Sequence, residues 1–283
     1  MQLRERGEFT AAADLLTQTM ELAPQWPEGR FALAESLMFA GEHDRAAAEF
    51  KSYLDLDPAD SMGASAKLVI LGARPATAEL PHAYVERLFD QYAARFDKAL
   101  IEDLKYTGPQ RIREAIATRF PQRRFGCCLD LGCGTGLMGV AIRDVVDRLE
   151  GVDLSAKMLA EAHKKRIYDA VTQDDILGAL RQKPSTYDLI LAADVLVYVG
   201  DLVPIFTLVS SALKKSGVFV FTLQVLAAAG FRLGTDQRFS HNPTYVASLL
   251  EKHLAANTIT PGSFRREREV DVPGFLVIAE TAA

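Results

Sequence analysis

Little in this sequence points to metal, disulfide or membrane chemistry. It holds three cysteines, five histidines and one tryptophan in 283 residues. Cys127, Cys128 and Cys133 crowd one short stretch with no CxxC spacing and no histidine nearby, so neither a zinc site nor a disulfide framework is expected. No apolar run can span a bilayer: the longest, Val218 to Phe231, is interrupted by Thr222 and Gln224. The opening MQLRERGEF lacks the apolar segment of a secretory signal, and a reducing cytoplasm is the expected location. Positive charge is also short. A net charge of -5 argues against a protein that grips nucleic acid backbones. What is present is ordinary for a folded chain, 49% hydrophobic and 24% charged residues, so wholesale disorder is excluded.

The acidic excess sits in the first 78 residues; the remainder is balanced, as if two modules had been joined. Within the first 72 residues a period of 34 pairs Gly7 with Gly41, Ala12 with Ala46, Leu16 with Phe50 and Pro24 with Pro58. That is the tetratricopeptide (TPR) period. Glycine marks a helix end, alanine a close helix approach and proline a helix stop. Helices are expected at about Phe9–Leu22, Glu28–Ala40, Asp44–Leu56 and Ser61–Leu71, with the opening helix of the first repeat missing. Three segments follow: helical repeats over 1–72, a linker over 73–81 with two prolines, and a larger domain over 82–283.

Beyond the linker, Val85, Leu88, Phe89, Tyr92 and Phe96 form one helical stripe. Strands are expected at Phe125–Leu131, Leu149–Asp153, Tyr168–Thr172, Tyr187–Ala192, Gly217–Leu223 and Gly274–Ala279. Helices are expected at Leu137–Val146, Ala156–Lys165, Leu202–Lys214 and Thr244–Leu254. This alternation predicts an α/β fold, a mostly parallel sheet covered on both faces.

The chemistry concentrates in CCLDLGCGTGLMG, Cys127 to Gly139. A strand ends in Asp130, and Gly132, Gly134 and Gly136 turn the chain into a helix, letting the backbone pass close beneath a nucleoside-sized ligand. Gly134, Gly136 and Gly139 also fit GxGxxG, a weak dinucleotide signal. Acidic residues at successive strand ends favour another ligand. Asp130 precedes the glycines, Asp153 ends the next strand in GVDLS, and QDDIL follows the third. An anion beside a pyrophosphate is poorly placed, whereas a sulfonium with an ammonium suits it. A carboxylate at Asp153 can accept from two ribose hydroxyls, as NAD sites also do. One in QDDIL can accept from an adenine amino group.

With DLGCGTG, GVDLS and QDDIL in place, the sequence resembles the class I S-adenosylmethionine-dependent methyltransferases from about Tyr84 to Glu280. More narrowly it resembles a bacterial group with N-terminal TPR repeats, through LFDQYAARFD, YDLILAADVLVYVGDL and RFSHNPTYV. The resemblance implies a Rossmann-like seven-stranded methyltransferase sheet whose last strand, in VPGFLVIAE, is antiparallel, preceded by a small all-α TPR module. It implies S-adenosyl-L-methionine as cofactor. Gly132, Gly134 and Gly136 would lie under the cofactor, with Asp130 near its methionine end and Asp153 on its ribose. Leu154 and Met158 would pack near the adenine, and Asp175 with Ile176 would read it, Asp174 being the rival by one position. Tyr92 would close over the methionine end, and Ala193 and Asp194 would flank it. Each has a plainer alternative: a turn cap for Asp130, a helix cap for Asp175, a core position for Tyr92.

Methyl transfer is an in-line displacement that needs positioning, and a base only if the acceptor must lose a proton. After the fourth strand the chain reads ADVLVY instead of the Asn/Asp-Pro-Pro-Tyr of many nucleobase and amide N-methyltransferases, which disfavours those targets. Tyr198 and His241 are the candidate catalytic residues, His241 as base. Arg238 and Tyr245 are candidates for the substrate side, and RREREV (Arg265–Val270) reads as a solvated strand face. Cys133, with no base beside it, is not expected to be a nucleophile. A small-molecule acceptor is expected. The other readings are a protein substrate or partner presented by the acidic repeats, a non-catalytic cofactor sensor, and an NAD oxidoreductase.

Overall fold

The computed structural model describes residues 2–98, 105–181, 183–267 and 270–283. By internal contacts the chain divides into Met1–Arg87 with Leu233–Gln237, and Leu88–Arg232 with Arg238–Ala283. The division falls inside the His82–Tyr92 helix, and no pattern in the sequence marked 233–237 as grouping with the repeats.

In the first unit the expected helices stand at Phe9–Leu22, Pro27–Phe39, His43–Leu56 and Ala64–Ile70. Only the one-turn Gln2–Glu5 helix precedes Gly7. Gly7 and Gly41 both take left-handed φ, +76° and +83°, at the ends of their helices. Ala46 and Phe50 are fully buried, and the Phe31 ring meets Phe50 and Tyr53 edge-on at 5.4 and 5.3 Å. Burial of these aromatics is the main stabilisation of this small core. The Tyr53 hydroxyl donates to Asp57 and accepts from the Met62 N–H, closing the turn around Pro58.

The second unit is built on one sheet. Its strands are β1 Phe125–Leu131, β2 Val146–Asp153, β3 Ala170–Gln173, β4 Tyr187–Ala192, β5 Leu213–Val225, β6 Phe231–Leu233, β7 Phe239–His241, β8 Ala256–Glu267 and β9 Val270–Glu280. The order β3-β2-β1-β4-β5 is parallel throughout. β9 then runs antiparallel to β5, and β8 antiparallel to β9. These seven strands match the expected sheet with its antiparallel VPGFLVIAE strand. The short β6 and β7 are additional. β9 covers Val218–Gln224 along one edge of β5, and β4 ends opposite Phe221 on the other, so β7 pairs with Gln224 and Val225 beyond β4.

β1 and β4 are nearly continuous apolar runs because both their faces are covered. Phe206, Phe219 and Phe221 cluster on one face; Ile112, Ile116, Met138 and Ile142 pack on the other. Several expected boundaries move. The helix after β1 is Leu137–Ile142, and β2 already begins at Val146; the Val203–Ala212 helix likewise yields to β5 at Leu213. β5 is then buried without a break from Gly217 to Leu223, as a strand covered on both faces requires. The long β8 had no strong sequence signal, because most of its residues are only partly covered.

Candidate functional site

Parallel strands carry their carboxyl ends to one edge of a sheet, where ligands of open α/β folds bind. Here a cleft lies past the ends of β1, β2 and β4. Gly132 and Gly134 form its floor with φ of +63° and +53°, and Gly136, at +91°, caps the following helix. A Cβ on Gly132 would stand 2.3 Å from the Val195 side chain, so no larger residue fits without displacing that wall.

Asp153 lines the cleft from the end of β2. Its Oδ2 accepts from the Gly134 N–H and its Oδ1 from the Ser155 N–H, each at 2.9 Å. Burial raises its pKa, against which these N–H donors act. A carboxylate has about four acceptor positions, so this one can hold the glycine loop and still receive ribose hydroxyls. Asp130 is buried behind the loop. Tyr168 donates to its Oδ2 at 2.6 Å, while Oδ1 is buried with no hydrogen-bond partner. Burial pushes its pKa up to about 7.

Aromatic walls close the cleft: Phe89, Phe96, Tyr106 and Tyr198. Phe89 meets Phe96 and Tyr198 edge-on at 5.9 and 5.4 Å. Asp97 anchors this segment by accepting from the Thr135 hydroxyl and from Lys165 Nζ. At the far side stand Ala193, Asp194 and Arg238. Asp194 holds a left-handed φ of +57°, fixed by its N–H donating to Thr222 Oγ1 and its carboxylate accepting from Arg265 at 2.6 Å. Arg265 is 4% exposed and also reaches Gln224 and Glu267; Arg238 in turn donates to Glu267.

The structure therefore brings together Asp130, Gly132, Gly134, Gly136, Asp153, Asp194, Tyr198 and Arg238. Others fall elsewhere. His241 is fully buried on β7, its Nε2–H donating to the Gly200 carbonyl at 2.9 Å. Burial depresses its pKa to about 4, so it is neutral and out of reach of an acceptor. The expectation of a His241 base is corrected on that ground. Tyr92 is 40% exposed under the Arg95 guanidinium and does not line the cleft; Phe89 and Phe96, about one turn to either side, do. Tyr245 packs against Phe231 and the β5-side core, away from the cleft. Met158 is wholly enclosed. Leu154 and Ile176 lie outside the cleft wall, and Asp175 caps its helix by accepting from the Gly178 N–H at 2.8 Å. Arg265 is the opposite of the solvated residue expected from RREREV; Arg268 and Glu269 of that segment lie outside the described residues. Sequence reasoning missed Tyr106, whose neighbours in sequence show no motif, and Arg265, whose charge resembled a surface pattern. Cys133 lines the loop, and burial pushes its thiol well up, as suits an inert position.

A glycine loop after β1, an acid after β2 and the strand order found here define the class I S-adenosylmethionine-dependent methyltransferases. The methyltransferase domain family matches residues 104–265, more than half of the chain, and the chain belongs to it. A tetratricopeptide repeat family matches residues 3–68. Among curated proteins, malonyl-[acyl-carrier protein] O-methyltransferase of Enterobacter lignolyticus is 33% identical over 113 residues, 40% of this chain and 45% of that protein. The 18S rRNA (guanine-N(7))-methyltransferase of Bos taurus is 34% identical over 122 residues, 41% of this chain and 40% of that protein. The chain thus spans less than half the length of the curated relatives it matches. Among solved structures, the 1,6-didemethyltoxoflavin-N1-methyltransferase of Burkholderia thailandensis shares the fold with a TM-score of 0.54 at 14% identity, over 74% of this chain and 93% of that one. No described helix is long and apolar enough to cross a membrane.

Proposed function

We propose that this protein transfers a methyl group from S-adenosylmethionine to a small-molecule acceptor by in-line displacement. The observation that carries the reading is Asp153, a carboxylate at the end of β2 bonded to the left-handed glycine loop on the wall of an aromatic cleft. The residues present suit that donor in two further ways. Gly132 and Gly134 line the cleft with backbone alone, and behind them Asp130 holds an Oδ1 with no hydrogen-bond partner.

Bound there, the cofactor supplies an electrophilic methyl group on a sulfonium. Asp153 would orient the ribose. The register that sets Gln173 opposite Asp153 puts Asp174 and Asp175 just past β3, where an adenine would lie. Phe89, Phe96 and Tyr106 would exclude water, and Asp194 and Tyr198 would border the reacting end. Positioning supplies the rate, since the displacement needs no covalent enzyme intermediate. Enclosure by aromatic walls supports a small acceptor over a protein one, and the repeats remain the candidate surface for a protein partner.

Calorimetry tests the reading: S-adenosylhomocysteine should bind and NAD should not. Asp153→Ala should weaken that binding by about 1–3 kcal/mol, the scale of hydrogen bonds to a charged group. Binding of NAD alone would end the proposal.

A further inference from the structure

Resting on the cofactor site proposed above, we infer that the methyl acceptor is a small amine, held through an N–H by the Asp194 carboxylate and methylated on nitrogen. The first support is the way Asp194 is held. It follows β4 in the cleft wall, past Asp153 and the glycine loop in the strand order β2, β1, β4. The reacting end of a nucleoside held by Asp153 would lie there. Asp194 keeps a left-handed φ of +57°, rare outside glycine, through its N–H bond to Thr222 Oγ1. Its Oδ1 accepts at 2.6 Å from Arg265, which does not line the cleft. Among the described residues no donor reaches Oδ2, and the side chain is 20% exposed. A carboxylate pinned at one oxygen and open at the other is a directed acceptor for an N–H or an O–H.

The second support is charge, which separates nitrogen from oxygen. Neither guanidinium beside the site is free to balance an incoming anion. Arg265 serves Asp194, Glu267 and Gln224, and Arg238 is bonded to Glu267 and Tyr198. Asp153 adds a further carboxylate to the wall. An oxygen nucleophile reacts as its oxyanion, which would have to form among these acids. An amine attacks as the neutral molecule and turns positive as the bond forms, so the same acids favour its transition state over its ground state.

The third support is the wall itself. Tyr198 ends the short turn Leu196–Tyr198 just beyond Asp194, and the Phe89 ring meets it edge-on at 5.4 Å. Aromatic rings cover the apolar body of a small amine, and their faces attract a cation. The step balances without a base on the protein. The ammonium form loses its proton to water before binding. The nitrogen lone pair forms the new N–C bond, and the C–S bond breaks with its electron pair remaining on sulfur. The positive charge passes from sulfur to nitrogen. Asp194 Oδ2 accepts from an N–H of that nitrogen, a bond that strengthens as the charge arrives.

The test gives the full chain methyl-tritiated S-adenosylmethionine with benzylamine, phenethylamine or tryptamine, each against its matching alcohol. At least one amine should take label about tenfold or more faster than its alcohol. The product should pass into organic solvent from alkali and stay in water at acid pH. Asp194→Asn should lower kcat for that amine about tenfold or more, with affinity for S-adenosylhomocysteine unchanged. Label on no amine, an alcohol labelled as fast as its amine, or unchanged turnover by Asp194→Asn would each overturn the inference. If Asp194→Asn folds but weakens S-adenosylhomocysteine, the acid serves the cofactor's own ammonium and the inference falls. Should that variant fail to fold, the comparison of amine with alcohol on the wild-type chain decides alone. Failure of the wild-type chain to bind S-adenosylhomocysteine would strike the cofactor site and not the acceptor assignment.

Discussion

Asp130 is a carboxyl group that burial has moved into the physiological range. With its pKa near 7, the ligand-free protein holds this proton at pH 6 and has lost it at pH 8. A sulfonium arriving nearby favours the ionised form and lowers that pKa. Binding of S-adenosylmethionine at pH 6 should therefore release a fraction of one proton, and at pH 8 almost none. Calorimetry in two buffers of different ionisation enthalpy reads this directly. Uncharged at sulfur, S-adenosylhomocysteine should release less, and Asp130→Asn should release nothing. Equal release by both ligands would show that Asp130 does not sense the sulfonium.

At the scale of elements, β8 matters to the site through a single side chain. Arg265 is buried and crosses from β8 to Asp194, the left-handed residue after β4, and to Glu267, which holds Arg238. Removing it leaves Asp194 with an unpaired, mostly covered charge. Arg265→Met should cost about 3 kcal/mol or more of stability, the scale for breaking a buried pair from one side, measured by urea unfolding. Loss of less than about 1 kcal/mol would mean that water already compensates Asp194. The glycine loop behaves differently. Its left-handed φ values are open to glycine, while Asp153 at the end of β2 and Val195 after β4 hold it in place.

For the molecule as a whole, every described wall of the cleft comes from 88–232 and 238–283. A ligand stabilises the segments that bind it by RT ln(1 + [L]/Kd), about 2.7 kcal/mol at a hundredfold excess over Kd. Hydrogen exchange with S-adenosylhomocysteine at that excess should slow amides in β1, β2 and the Gly132–Gly136 loop. Amides of the Pro27–Phe39 and His43–Leu56 helices should not change. Equal protection in those helices would show that binding is coupled to the repeats.

The 34-residue period, the glycine–acid pattern around DLGCGTG and the alternating runs carried most of the architecture in advance. These are local signals: a left-handed turn needs glycine where it occurs, and a strand covered on both faces needs an unbroken apolar run. Gly132, Gly134, Gly136, Asp153 and the ends of β1 and β4 could be read for that reason. Burial is different, because distant segments produce it together. His241 reads as a titratable loop residue until β5 and the Gly200 turn enclose it, and Arg265 reads as surface until Asp194, Gln224 and Glu267 converge on it. Tyr92 and Phe89 share one helical stripe, and only packing chose Phe89 for the cleft. Backbone turns answer to neighbours in sequence, whereas the exposure and charge of a side chain answer to neighbours in space.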